Sequence, residues 1–263
     1  MTIPLLSVIT AVGREDRYLK NAAESVAELF EILGDGMWIL SSDTVDLNWI
    51  LKNTRAVGSN RHVLASAHKR PWGPGRVRNR ALGRVDSPLV GSLDSDDMYH
   101  PAEMAKLVER ASTVNASTEF WWAGQTTEVA ESGVEYNSSH GYPNVDEPHT
   151  VSAGYMRTTI ESTNWLPFHC SATLVRSDVL KEIGGWDTSR DFLRVEDIAT
   201  WIRVTDRYPG FLSPDIVLSR RITEEAITRN PDWGDFALPD LSLIDLPHES
   251  SSEDFLSELK NTR

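Results

Sequence analysis

The stretch Leu93-Asp94-Ser95-Asp96-Asp97-Met98-Tyr99-His100-Pro101 decides how the chain is read. It ends the apolar run Pro88 to Leu93 with the carboxylates Asp94, Asp96 and Asp97, so a buried strand is expected to deliver acids to its own carboxyl end. In an open α/β sheet that edge is where ligands bind. Acids this close repel one another and raise each other's pKa unless a cation sits among them, and hard oxygen ligands suit Mg2+ or Mn2+. A divalent metal bridging protein to diphosphate is the chemistry the pattern points to. An EF-hand loop would need a further Asp or Asn and then Gly where Met98 and Tyr99 stand, and that pattern fails. An Asp-x-Asp phosphatase would carry its motif near the N-terminus with a Thr after it, and neither holds. Capping of a helix that opens at Pro101 stays open as the other explanation of Asp96 or Asp97.

The surrounding composition narrows the class. A chain of 263 residues, 40% hydrophobic and 25% charged, is expected to form one globular domain followed by a tail. Its net charge of -13 argues against a nucleic-acid partner, which would need a dominant positive field, so any anionic ligand must meet local positive charge. Cys170 is the only cysteine, which excludes an internal disulfide and a cysteine-based zinc site and fits a cytoplasmic location. No apolar stretch approaches the roughly 20 residues of a membrane span, so integral membrane association is not expected.

Upstream of the acid cluster the pattern alternates. Leu5 to Thr10 reads as a strand, about Asp16 to Leu33 as a helix ended by Gly34-Asp35-Gly36, and Met37 to Leu40 as a second strand. Asp43 is expected to open a helical stretch through Trp49 and Ile50, with Arg61 to Ala65 a third strand. This is a parallel-sheet pattern. His68 to Arg84 is the one conspicuously basic stretch, with Lys69, Arg70, Arg76, Arg78, Arg80 and Arg84 around a Pro-Trp-Gly-Pro-Gly loop. Positive charge and free amides at the start of a helix make a diphosphate or nucleotide cradle. That helix feeds the strand ending at Asp94, which places both on one face. A Walker A loop and the Rossmann glycine fingerprint are both absent.

Downstream, a helix is expected from Pro101 to about Ser112, and a hairpin from Phe120 to Val129 and Val134 to Tyr136. Asn137 to Ser162 looks irregular and is the candidate for a mobile lid. Trp165 to Arg176 has strand character, Ser177 or Asp178 starts a short helix ending at Gly184-Gly185, and Glu196-Asp197 opens another helix. Two acids at a helix N-terminus suit a general base, with plain capping as the other explanation. Phe211 to Ser219 is the last strand, and from Pro239 the chain reads as a tail that packs loosely, swaps onto a neighbour or stays disordered.

In order, these segments resemble the inverting glycosyltransferases of family 2, which have the GT-A fold, over roughly Leu6 to Ser219. Ser7-Val8-Ile9-Thr10-Ala11-Val12 is similar to the family's first strand and nucleotide loop, and Ile39 to Asp46 to its second strand with an acid for the base. Val77-Arg78-Asn79-Arg80-Ala81-Leu82 resembles the Ala-Arg-Asn helix, and Leu93 to Pro101 the Asp-x-Asp signature with its trailing Pro. Gly184-Gly185-Trp186-Asp187 followed by Glu196-Asp197 resembles the acceptor loop and catalytic acids. The resemblance implies an α/β fold: a Rossmann-like mixed sheet with helices on both faces. It implies a single domain over 1–238, with a nucleotide-sugar half (1–112) and an acceptor half (113–238), before an acidic tail over 239–263.

By the same resemblance, Thr10, Ala11, Asp43, Arg78, Asp94 and Ser95 hold the nucleotide, with Asp94 toward the ribose. Asp96 ligates a divalent metal, Mn2+ or Mg2+, and Asp97 supports it or caps the following helix. Asp197 is the base with Glu196 beside it, and Trp186 and Asp187 border the acceptor. The expected partners are a nucleotide-sugar donor, with UDP the expected nucleotide, and a soluble small-molecule or saccharide acceptor. A homo-oligomer is compatible with this.

The chain departs from the family at Ala11 and Gly13, at Ser41-Ser42-Asp43, and at Arg220-Arg221, where many relatives place a His that completes the metal shell. Arg221 then binds phosphate, or another group takes the place of that imidazole, His169 being one candidate. Two other classes stay open: a sugar-nucleotide-binding protein without turnover, and a sugar nucleotidyltransferase. The latter would carry a Gly-rich basic loop after the first strand, and Ala11 to Arg14 offers little of that kind.

Overall fold

The structure is a computed structural model that describes residues 3–14, 17–58, 62–65, 73–114, 118–136, 145–189, 195–222, 241 and 244, with backbone alone for 62–65 and 135–136. Asp16, Lys69, Arg70 and most of the expected tail lie outside the described residues.

The first half alternates strand and helix: β1 (Leu6–Ala11), α1 (Leu19–Leu33), β2 (Met37–Ser41), α2 (Leu47–Asn53), β3 (His62–Ala65), α3 (Pro74–Leu82), β4 (Leu89–Ser92), β5 (Met98–Tyr99) and α4 (Pro101–Thr113). The second half runs β6 (Trp121–Ala130), β7 (Glu135–Tyr136), β8 (His149–Val151), α5 (Tyr155–Thr163), β9 (Thr173–Arg176), α6 (Ser177–Glu182), α7 (Glu196–Arg207) and β10 (Gly210–Ile222). One sheet follows the order β3-β2-β1-β4-β9-β6-β10-β5, with β7 added to β6 and β8 to β10.

Strands β1 to β4 are parallel, whereas β9 runs antiparallel to both β4 and β6. β10 is parallel to β6 and so runs the same way as β4. The sheet is therefore mixed, as expected. Its reversal at β9 also brings the amino end of β9 and the carboxyl ends of β1, β4 and β10 to one edge.

Strand alternation builds two cores. Leu6, Val8, Trp38, Leu40, Trp122, Leu174 and Leu218 meet α1, α2 and α4 on one face. Ile9, Ile39, Val90, Trp121, Val175 and Leu212 meet α3, α5, α6 and α7 on the other. Successive strand residues point to opposite faces, so a run that is apolar throughout needs helices on both sides.

Three expectations need correction. α2 begins at Leu47 because Asp46, not Asp43, caps it: Asp46 Oδ1 accepts from the Asn48 and Trp49 amides at 2.8 and 3.3 Å. Within Trp165 to Arg176 only the last four residues are strand. Pro167 has no amide to donate, and the imidazole of His169 accepts from the Ser171 N–H, closing a short 3-10 turn at Cys170–Ala172. Of Asn137 to Ser162, expected to be irregular, residues 137–144 lie outside the described residues and 145–162 carry regular structure: β8 pairs with β10, and Met156 and Ile160, one turn apart, anchor α5 in the core. Of the expected tail only Leu241 and Ile244 are described, and both pack against the core, with Ile244 2% exposed. Among the described residues no helix is long and apolar enough to cross a membrane.

Candidate active site

At the shared edge, the loop after β4 meets the turn before β9. One ligand atom each from Asp94, Asp97 and His169 lie within 4.8 Å of one another. Asp97 is 3% exposed and accepts the Arg221 backbone N–H at 2.9 Å. Burial, with Asp96 and Asp94 adding repulsion, pushes its carboxyl well above the ordinary range. The expectation that Asp97 caps α4 is thereby corrected, since α4 has His100 at its N-cap, no side-chain cap, and Pro101 at its first turn. For His169, burial and the positive charge of Arg220 push the imidazole down to about 3, which leaves it in the neutral form that ligates metal.

Two carboxylates and a neutral imidazole are a donor set for a divalent cation, which would relieve the repulsion at Asp97. Asp96, the expected ligand, stands half-buried beside this group but is not one of the converging three. Its carbonyl accepts from Arg221 Nε at 3.2 Å. The Arg221 guanidinium is packed inward against the acid loop, with its carbon 4.1 Å from the centre of the Tyr18 ring.

Arg78, projecting from α3, joins this cluster to a second pair of acids. Its Nη2 donates to Asp94 Oδ1 at 2.9 Å and its Nη1 to Glu196 Oε1 at 2.5 Å, with Arg78 and Glu196 both buried. Burial opposes ionisation of Asp94, but the Arg78 charge and the hydrogen bonds from Arg78 and Ser171 outweigh it and hold that carboxyl below its usual range. Glu196 is pushed up to about 7 by burial, against the pull of Arg78 and with Asp197 adding repulsion. Asp197 is also raised, by burial first and then by Asp94, and it takes a hydrogen bond from the Cys170 thiol. A carboxylate raised from its ordinary value is a better proton acceptor near neutral pH.

α3 also fastens the loop that precedes α7. Asn79 Nδ2 donates to the Trp186 carbonyl at 2.8 Å, and the Trp186 N–H donates to Asn79 Oδ1 at 2.7 Å. Gly185 has φ +75°, and a side chain there would collide with Asn79. Gly75 likewise lets α3 approach the Asp187 carbonyl closely. The Trp186 indole is buried in the core. The Asp187 carboxylate is buried against Arg203 at 2.6 Å and accepts from the Ser189 amide and hydroxyl. Both side chains are buried, which is at odds with the expectation that they border the acceptor.

The remaining nucleotide candidates lie at the same edge. The Thr10 hydroxyl donates to the Leu93 carbonyl at 2.8 Å and accepts from Trp38 Nε1 at 2.9 Å, and the whole residue is buried between β2 and β4 with no part of it at the surface. Ala11 and Ser95 are half-buried, and Asp43 is buried after β2. Asn79, Ser171, Tyr18 and Arg203 carry parts of the site that the sequence reading did not assign. Asn79 was within reach, since it neighbours Arg78. The others act through contacts distant in sequence that leave no local signal.

The comparisons with known proteins follow this geometry. The family model described as glycosyl transferase family 2 matches residues 7–184. Solved structures of TarS from S. aureus are similar in fold. TarS 1-349 in complex with UDP-GlcNAc has a TM-score of 0.62 at 18% identity, covering 98% of this chain and 72% of that one. TarS 1-349 in complex with UDP has a TM-score of 0.61 at 15% identity, covering 98% and 70%. No curated protein sequence matches the chain. With the family model spanning more than half of its length, the chain belongs to glycosyl transferase family 2.

Proposed function

We propose that the protein transfers a sugar, with inversion, from a nucleoside-diphosphate donor to a soluble hydroxyl acceptor. The observation that carries this is the placement of Asp94, Asp97 and His169 at the sheet edge, joined through Arg78 to the Glu196-Asp197 pair. The TarS complexes hold UDP and UDP-GlcNAc, which supports a UDP-sugar as the donor here.

In this reading Asp197 accepts the proton of the acceptor hydroxyl as its oxygen bonds to the anomeric carbon. The bond from that carbon to the diphosphate oxygen breaks on the opposite face, and the nucleoside diphosphate leaves with the electron pair. Arg78 supplies fixed positive charge beside the leaving group, while Ala11, Asp43 and Ser95 line the nucleotide side. Asp94, Asp97 and His169, with Asp96 adjacent, would hold a divalent cation, whose contribution when bound is to neutralise charge growing on the diphosphate.

Thermal-shift titration with nucleoside diphosphates, with and without Mn2+, tests this. UDP with Mn2+ is expected to stabilise the chain by about 2.7 kcal/mol at a hundredfold excess over Kd, and UDP with a chelator by clearly less. Equal stabilisation without metal would count against the cation site, and no response to any nucleoside diphosphate would count against the donor class.

A further inference from the structure

Two arginines of the acceptor half reach a short piece of chain well past the last strand. Arg157 Nη1, on α5, donates to the Leu241 carbonyl at 3.0 Å, and Arg203 Nε, on α7, donates to the Ile244 carbonyl at 3.3 Å. The Ile244 N–H closes a turn on the Leu241 carbonyl at 3.3 Å, and the Ile244 side chain is buried in the core under α5 and α7.

The other end of Arg203 faces the site: its Nη1 lies 2.6 Å from Asp187 Oδ2. The Asp187 N–H donates to Thr200 Oγ1 at 3.1 Å, and the Thr200 hydroxyl donates to the Glu196 carbonyl at 2.5 Å. One buried guanidinium therefore meets the 241–244 turn on one side and the 184–187 loop on the other, from the helix that begins with Glu196 and Asp197.

We propose that Arg203 is a positioning residue that couples the 241–244 turn to the 184–187 loop, and so fixes the acceptor side of the site relative to Asp197. The functional half of this rests on the glycosyl-transfer reading above. A buried carboxylate such as Asp187 needs a partner of fixed geometry. The planar guanidinium supplies it only because its Nε edge is held by the Ile244 carbonyl, and a lysine at this position could not make both contacts. If the turn were filler alone, the apolar side chains of Leu241 and Ile244 would suffice, and no hydrogen bond to Arg203 would be needed.

The full chain labelled with 5-fluorotryptophan tests the coupling, with the Trp186 line assigned by its loss in Trp186→Phe. Arg203→Met and Ile244→Ala should each move or broaden the Trp186 line, and Ile244→Ala should add nothing in the Arg203→Met background. Arg203→Lys should regain much of the melting temperature without restoring the line. UDP affinity should stay within about twofold of the parent, while turnover of the donor falls about tenfold or more, as loss of positioning does. A Trp186 line unmoved in Ile244→Ala or Arg203→Lys, with a lowered melting temperature, would overturn the proposal and leave the turn as packing. Should Arg203→Met fail to fold, those two variants decide. A parent protein that binds no nucleoside diphosphate would sink the reading of the site, while the Trp186 line would still decide the coupling.

Discussion

Arg78 Nη1 lies 2.5 Å from Glu196 Oε1, and both side chains are out of water. With Asp94 on its other terminal nitrogen, the guanidinium is the joint between the acid loop and the start of α7. Arg78→Met would leave two acids facing each other without a counter-charge. Removing one partner from a buried pair costs about 3–5 kcal/mol. Arg78→Lys keeps the charge but not the two-sided geometry and should fall between. Melting curves of the two variants, taken with UDP titrations, check both the order and an accompanying loss of donor affinity.

The cation site separates by substitution. Asp97→Asn and His169→Ala are expected to weaken Mn2+ binding in the presence of UDP by at least about 10–100-fold, the range for losing a group that only hydrogen-bonds to a metal ligand. Asp96→Asn should weaken it less, because Asp96 is not among the three converging groups. A Mn2+ titration followed by calorimetry gives the ranking, and a larger effect at Asp96 would move the site back to where the Asp-x-Asp resemblance puts it.

Asn79→Ala removes both hydrogen bonds to the Trp186 backbone, leaving a buried N–H and a buried carbonyl without that partner. Each costs about 1–3 kcal/mol when unsatisfied, so the variant should lose roughly 2–6 kcal/mol. Asn79→Asp keeps the acceptor and loses the donor, and denaturant titration should place it between.

The acid side of the stability profile has a source remote from the site. Burial opposes ionisation of Glu119, but hydrogen bonds from Arg110, Trp122 and Thr150 outweigh that and hold its carboxyl below the ordinary range. A depressed folded-state pKa means that the stabilisation is present above the unfolded value and is lost as pH falls through the folded one. Below about pH 4.5 the parent should therefore lose stability more steeply than Glu119→Gln, as read from melting temperature against pH.

How much of this was legible follows from the range over which each feature acts. The first three strands, the helices α1, α3 and α4 and the hairpin of β6 and β7 carry their signals within a dozen residues. Leu19 through Phe30 at helical spacing, Pro74 and Pro101 at helix starts, and Gly133 between the hairpin strands are examples. α5 was hidden because only Met156 and Ile160 mark its buried face among Thr and Ser. At the site, the acids were visible as a cluster, but their division of labour was not. What turns Asp97 inward is the amide of Arg221, and what holds Asp94 is Arg78, both contacts made across the sheet edge. His169 could be entertained only as a substitute ligand, since its position depends on the reversal of β9 against β4.

Steady-state turnover of the donor by Asp197→Asn, measured beside Glu196→Gln and with UDP affinity determined for both, tests the assignment of the base most directly. The expected result is a fall in kcat of about 10²–10⁴ for Asp197→Asn with UDP affinity unchanged, and a smaller loss for Glu196→Gln. Normal turnover by Asp197→Asn would contradict the account, and so would abolition by Glu196→Gln alone.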